Sequence, residues 1–317
     1  MIVKKPLDYP KKQINHLDTP LYFAVFGDIH GRIALMYTLA NLWQKESKIS
    51  LSGLLQVGDM GAFPDPNKLD RATIKHAKKD RDELGFSQFC RITPESKLYF
   101  DSQPQPKTYF IRGNHEDFDY LSSYVTPTAL DPWHNLCFIP DGCYYNIATH
   151  EQPLYLAGFG GIAPKNSEPH RGKRHRSAHR KGRQQASHDP RFFTSQAIST
   201  AFYNDYIPPI DILMTHGAPD TPDSPYGSTL ITALSNRLAP RIHFFGHHHV
   251  SLEPCEMADN QLLVGLEHLE FKRDGFLKEG SWGILKINNQ KAEFSFCNNK
   301  EMPWLYEVRQ ASYRELI

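Results

Sequence analysis

Short apolar runs that stop at glycine, each followed by a polar cluster, recur along this chain. Leu21 to Phe26 (LYFAVF) has the length and continuity of a buried strand, and Ile33 to Trp43 (IALMYTLANLW) has helical length soon after it. Leu54 to Val57 repeats the strand before Gly58-Asp59, and the charged stretch from Asn67 to Leu84 reads as helical. Thr108 to Ile111 then runs as a strand into Arg112-Gly113-Asn114-His115, and Ile210 to Met214 runs into Thr215-His216-Gly217. Ser228 to Leu238 reads as a helix with Ser228 as its N-cap, and Arg241 to Phe245 delivers Gly246-His247. The order strand, loop, helix predicts an α/β fold whose polar clusters sit at the C-terminal edges of strands, where open α/β sheets build their sites.

The tail has a different texture. Leu262 to Gly265, Trp282 to Ile287 and Ala292 to Phe296 are short, often alternating, and divided by polar turns such as Asn288-Asn289. They predict antiparallel strands that complete a second sheet behind the first. Without an internal repeat or a Gly/Ser linker, residues 1–317 are expected to form a single domain.

Composition narrows the setting more than the chemistry. With 36 basic and 35 acidic residues the charge nearly cancels, so it selects no partner, whereas 16 histidines weakly favour metal chemistry. Cys90, Cys137, Cys143, Cys255 and Cys297 are odd in number and never paired as C-x-x-C, which argues against a disulfide framework or a thiolate zinc site. They are expected to be buried small hydrophobes. The first residues, MIVKKPLDYPKKQINHLDTP, lack the apolar core of a signal peptide, and no run approaches the ~18 apolar residues of a membrane span. The expectation is a cytoplasmic protein without a membrane partner.

The main irregularity is Lys165 to Arg191, where nine Lys or Arg and four His residues have almost no apolar company. Such a segment buries too little surface to offset its ordering entropy and predicts a mobile, solvated insertion loop. Its charge suits phosphate-rich ligands, nucleic acid among them, although no aromatic residue interrupts it for stacking before Phe192.

Five motifs carry the chemistry: GDIHG at 27–31, GDMG at 58–61, GNHE at 113–116, THG at 215–217 and GHHH at 246–249. Each sets Asp, Asn or His at the end of an apolar run, the oxygen and nitrogen donors that a pair of divalent metals needs. Taken in order, they resemble the metallophosphoesterase, or calcineurin-like phosphoesterase, family, whose pattern is D-x-H, G-D, G-N-H-[DE], H and G-H-x-H. The resemblance spans Phe26 to His249, about two thirds of the chain. It implies a four-layer α/β/β/α sandwich of two mixed sheets flanked by helices.

Carried over residue by residue, the resemblance gives Asp28, His30 and His249 to a first metal and Asn114, His216 and His247 to a second, with Asp59 bridging. Two cations about 3.5–4 Å apart can clamp an in-line phosphoryl displacement, with a bridging hydroxide as nucleophile. His115 corresponds to the family's general acid. The mixed donors suit Mn2+ first, and Fe, Zn2+ or Ni2+ as well. Arg32 and Arg112 adjoin ligand loops and are candidates for the substrate phosphate. His248 occupies the variable place in the last motif, and His243 lies within a strand pattern and is expected in the core.

Two branches of the family are similar in detail. GDIHG and RGNHE look like the serine/threonine phosphatases and diadenosine tetraphosphatases, which read G-D-x-V-D-R-G at the second motif. Here that segment is Gly58-Asp59-Met60-Gly61-Ala62-Phe63-Pro64, without the Asp that orients the catalytic His or the Arg for phosphate, leaving Asp65 or Glu116 as substitutes. The RNA lariat debranching enzymes also lack that pair, and LYLAGFGGI at 154–162 is similar in order, but Asp28 stands where they carry Cys. The sequence therefore supports a dinuclear phosphoesterase acting on a monoester or a diester. A nucleic-acid or nucleotide phosphodiesterase using the 165–191 arm and a non-catalytic scaffold remain the alternatives, and oligomeric state stays open.

Overall fold

A computed structural model describes residues 19–148, 153–163, 189–193, 195–202, 207–221, 227–256, 261–288 and 291–316. Most of the basic segment at 165–191 lies outside these residues, so the expectation of a mobile arm, and of nucleic acid bound to it, falls there too. Seven strands form one sheet: β1 (Leu21–Phe26), β2 (Gly53–Gln56), β3 (Thr108–Phe110), β4 (Thr128–Ala129), β5 (Leu136–Phe138), β12 (Trp282–Ile287) and β13 (Ala292–Phe296). Their spatial order is β13-β12-β1-β2-β3-β5-β4, with β1, β2, β3 and β5 parallel and the edges antiparallel. The second sheet holds β6 (Tyr144–Ala148), β7 (Pro153–Phe159), β8 (Ile212–Thr215), β9 (Ile242–Phe245), β10 (Leu252–Glu256) and β11 (Leu262–Gly265). It runs β10-β11-β9-β8-β7-β6, again parallel at its centre with antiparallel edges.

Alternate residues of each central strand point to opposite layers. Phe23, Val25, Leu55 and Ile111 meet Leu156, Met214, Phe244 and Val264 between the two sheets. On the outer face of the first sheet, Ala24, Phe26, Leu54 and Phe110 pack on the helical layer of α1 (Ile33–Ser47), α3 (Gly85–Phe89), α4 (Pro94–Phe100) and α5 (Phe118–Leu121). Ala157, Phe159 and Leu213 face α6 (Ser195–Phe202) and α7 (Thr229–Leu238) on the other side. The fold is therefore the α/β/β/α sandwich of two mixed sheets. Burial on both faces is why the parallel strands read as unbroken apolar runs.

Several local expectations change. Asn67 to Leu84 is not one helix: only α2 (Arg71–Ala77) is α-helical, between 3-10 turns at Pro66–Lys68 and Arg81–Leu84. Asp65, Asp70 and Asp80 each cap the turn or helix that follows, so three short-range acceptors divide the charged stretch. Ser228 caps α7 as expected, accepting from Ile231 N–H at 3.4 Å. The tail divides between the sheets: β12 and β13 extend the first beside β1, whereas β11 joins the second, parallel to β9. Of the cysteines only Cys137 and Cys297 are buried; Cys90, Cys143 and Cys255 are half-buried, and none of the five is in a disulfide. Among the described residues no helix is long and apolar enough to cross a membrane.

Candidate metal centre

Loops at the C-terminal ends of β1, β2, β3, β8 and β9 converge on one cavity of about 190 Å3, lined among others by His30, Asp59, Asn114, His115, His247 and His249. Two donor groups meet there. Asp28, His30 and His249 form one, and Asp59, His216 and His247 form the other, with ligand atoms in each within 4.8 Å of one another. Asn114 belongs beside the second group, since its Oδ1 lies 3.0 Å from His216 Nε2.

Backbone geometry marks the same residues. Seven non-glycine residues have positive φ among those described, and four of them are His30 (43°), Asp59 (50°), His247 (69°) and His249 (52°). Such conformations cost on the order of 1–3 kcal/mol each and persist where the surroundings enforce them. Here the enforcing contacts are visible. Asp59 Oδ1 accepts from the N–H groups of Asn114 (2.6 Å) and His115 (2.8 Å), so the bridging candidate also holds the third motif in place. Gly113 permits this approach, because an added Cβ would fall on the Asp59 carboxylate and amide. Asp28 Oδ1 likewise accepts from His247 N–H at 3.1 Å, tying the first motif to the last.

Two buried carboxylates in an apolar setting need compensation. Burial acts to raise Asp28, yet His216 and His249 outweigh it and hold the carboxyl below its ordinary range. Asp59 is held well below its ordinary range against burial by the charge and contact of His216. Burial would lower His216, but Asp59 and Asp28 push it up to about 9. In that cationic form His216 gives its Nδ1 proton to the Val57 carbonyl at 3.0 Å and its Nε2 proton toward Asn114. The proton on Nε2 occupies the place a metal would take, and the Val57 carbonyl fixes the ring as such ligands require. Burial pushes His30 down to about 4 and His247 down to about 3, leaving both neutral with lone pairs to offer. Asp28 Oδ2 is buried, makes no well-aligned hydrogen bond and has only His249 Nε2 beside it at 3.2 Å, so a cation held by both atoms would satisfy it. The donor set fits divalent cations.

His115 stands at the edge of the cavity, its ring centroid 5.6 Å from that of His30. Its Nδ1 meets Asp70 Oδ2 at 2.7 Å, and burial notwithstanding, Asp70 and Asp59 push it up to about 9. Asp70 is thus the acid beside this histidine, and neither substitute expected from the sequence is. Asp65 caps a 3-10 turn, while Glu116 turns inward and accepts from Met60, Ala62 and Gly113 N–H. The clue to Asp70 lay in its N-cap position ahead of Thr73, which turns it back from α2.

The two arginine candidates are both engaged. Arg32 lines the cavity but is 3% exposed and ion-paired to Asp80 and Glu83 at 3.0 Å each. Arg112 pairs with Asp141 at 2.6 Å and donates to the Pro190 carbonyl at 2.6 Å. His243 is buried between Thr215 and Ser235 hydroxyls, and His248 meets His247 edge to face with ring centroids 4.8 Å apart. One neighbour escaped the sequence reading. His268 follows β11, lies 4.1 Å ring to ring from His249, and contacts Glu267 (2.6 Å) and Glu270 (2.5 Å). It follows an apolar run and a glycine, as Asp28, Asp59 and His247 do.

Residues 21–251 match the calcineurin-like phosphoesterase family. No curated protein sequence matches the chain significantly. One solved structure aligns with 88% of this chain and 100% of its own at a TM-score of 0.52 and 13% identity, a likeness of fold. TT1561 of Thermus thermophilus is similar over 88% of this chain and 99% of its own (TM-score 0.49, 13% identity). The calcineurin-like phosphoesterase YfkN from Bacillus subtilis covers 95% and 99% (TM-score 0.41, 10% identity). With its family match, its two mixed sheets and its paired donor groups, the chain belongs to the calcineurin-like phosphoesterases and is a metal-dependent phosphoric ester hydrolase.

Proposed function

We propose that this protein hydrolyses a phosphate monoester or diester at two divalent cations, Mn2+ being the favoured metal. Asp28, His30 and His249 would hold one ion, Asn114, His216 and His247 the other, and Asp59 would lie between them. The observation that carries this reading is the pair of donor groups at one cavity, which His30, Asp59, His247 and His249 line together with His115 while Asp28 and His216 lie buried behind them. When bound, the ions supply Lewis acidity and a charge clamp for the phosphoryl group. Nitrogen and oxygen donors of this kind also accept Fe, Zn2+ or Ni2+.

The chain's own residues supply the rest. His115 is held cationic by Asp70, so it can give its Nε2 proton to the departing oxygen while Nδ1 stays on the carboxylate. Asp70 acts as a positioning residue, fixing the ring through one contact and α2 through another. Hydrolysis of p-nitrophenyl phosphate and bis-p-nitrophenyl phosphate under Mn2+ tests the activity and separates monoester from diester. Asp59→Ala should remove turnover while circular dichroism stays unchanged. His115→Ala and Asp70→Asn should slow phenyl phosphate far more than p-nitrophenyl phosphate, because p-nitrophenolate leaves with little need of a proton. Equal losses on both esters would overturn the acid assignment, and a fully active Asp59→Ala would overturn the site.

A further inference from the structure

One wall of the cavity has a surface that the hydrolytic residues do not use. Ala72, Thr73 and His76 of α2 line it, and Asp70 at the start of α2 holds His115. Beside this lining stripe run Arg71, Lys75 and Lys79, spaced four apart, all exposed. Residues three and four apart on a helix are neighbours, so Lys75 sits next to Arg71 and to Ala72 of the lining stripe, and Lys79 follows in the turn after α2. Lys78 is exposed beside them.

Among the described residues nothing cancels this row. The acids on the same segment face elsewhere: Asp70 toward His115, Asp80 and Glu83 toward Arg32, and Asp82 toward Arg314 and the Tyr313 hydroxyl. Arg71, Lys75 and Lys79 form no ion pair among the described residues. Arg71 and Lys75 are like charges four apart on α2, a pairing that disfavours the helix, so the arrangement is one an anion would relieve. Among the described residues the cavity lining contains no Phe, Tyr or Trp to stack a base. Recognition on this side is by charge.

We infer that α2 and the turn after it bind a leaving group that carries further phosphates. This rests on the phosphoesterase reading above. In the reaction, water oxygen forms the new bond to phosphorus, the ester P–O bond breaks, and the leaving oxygen takes a proton. The phosphates beyond that oxygen lie along Arg71, Lys75 and Lys79. Free oligophosphate and the backbone of a nucleic acid share this chemistry.

The test is inhibition of p-nitrophenyl phosphate hydrolysis by the full chain, with Mn2+ in excess over all phosphate. Inorganic tripolyphosphate and a short single-stranded oligonucleotide are compared with orthophosphate. In the parent protein, one of the two polyanions should inhibit at least 10-fold more tightly than orthophosphate, and added salt should weaken it. Inhibition by tripolyphosphate alone assigns a free oligophosphate chain, and inhibition by the oligonucleotide alone assigns a nucleic-acid backbone. The triple change Arg71→Glu, Lys75→Glu, Lys79→Glu should erase that preference while the KM for p-nitrophenyl phosphate shifts less than twofold. The milder pair Lys75→Gln and Lys79→Gln should reduce it, which guards against misfolding of the triple variant. A parent without the preference, or variants that keep it, would overturn the inference. A parent that fails to cleave p-nitrophenyl phosphate and bis-p-nitrophenyl phosphate at all would instead overturn the hydrolytic reading.

Discussion

Glu116 is the test of how the site is held together. It is 4% exposed, and its carboxyl receives three backbone N–H groups, those of Met60 (2.9 Å), Gly113 (3.1 Å) and Ala62 (2.5 Å). Two of these come from the loop that carries Asp59 and one from the loop that carries Asn114. Glu116→Ala would orphan all three buried donors, at about 1–3 kcal/mol each, for a total of roughly 3–6 kcal/mol after local relaxation. Glu116→Gln can still accept from Met60 and Gly113 through its one oxygen, but it sets an amide NH2 against the Ala62 N–H. That loss is a single donor, about 1–2 kcal/mol. Because a whole domain is stable by only about 5–15 kcal/mol, the alanine variant should be severely weakened and the glutamine variant measurably so. Urea unfolding of metal-free protein, followed by tryptophan fluorescence, gives both values. Titration with Mn2+ should then show weaker binding in the same order, since the loops that Glu116 joins carry Asp59 and Asn114, two of the donors proposed for the cations. Two variants within about 0.5 kcal/mol of the parent would refute the idea that Glu116 stitches these loops.

Two further outcomes follow from charges elsewhere. Burial pushes Glu83 up to about 7 despite Arg32, from 4.5 in the unfolded chain, so folding retains its proton. That contribution is fully present below pH ~4.5 and is lost as pH rises toward 7, about 3 kcal/mol in all. Urea unfolding at pH 5 and pH 7.5 should show this loss in the parent and not in Glu83→Gln; equal slopes would contradict it. Removal of divalent metal by a chelator should lower stability by about 2.7 kcal/mol relative to protein in Mn2+ at 100 times its dissociation constant. No difference between the two conditions would mean that the donors of the centre hold no cation.

Much of this arrangement is legible in the sequence because strand ends are easy to find. Asp28, Asp59 and His247 each follow an apolar run that stops at a glycine, Asn114 and His216 follow one within three residues, and the parallel sheets bring those ends to one edge. Asp70 is not legible in this way. Its partner His115 is 45 positions away, and only the path of the chain around α2 brings them together. The breaks in 67–84 are missed for the opposite reason, being very local: three Asp caps interrupt a stretch whose overall composition suits a helix. Arg32 shows that adjacency to a ligand loop does not decide where a long side chain goes, since Asp80 and Glu83 capture it. The tail's division between sheets is invisible to periodicity, because alternation says that a face is buried and not against which sheet.

That division has a consequence for how the protein comes into being. β1, which carries Asp28 at its end, pairs on one side with β2 and on the other with β12, Leu21 opposite Ile287 and Phe26 opposite Trp282. Trp282 stacks on Phe26 at 5.5 Å, one residue before the first motif. On a ribosome adding roughly 5–20 residues per second, β1 waits on the order of tens of seconds for that partner. Through that interval the edge of β1 lies open to other strands. The earliest donor strand to be synthesised is therefore completed among the last, and a nascent chain of this protein is exposed at the element on which its metal chemistry depends.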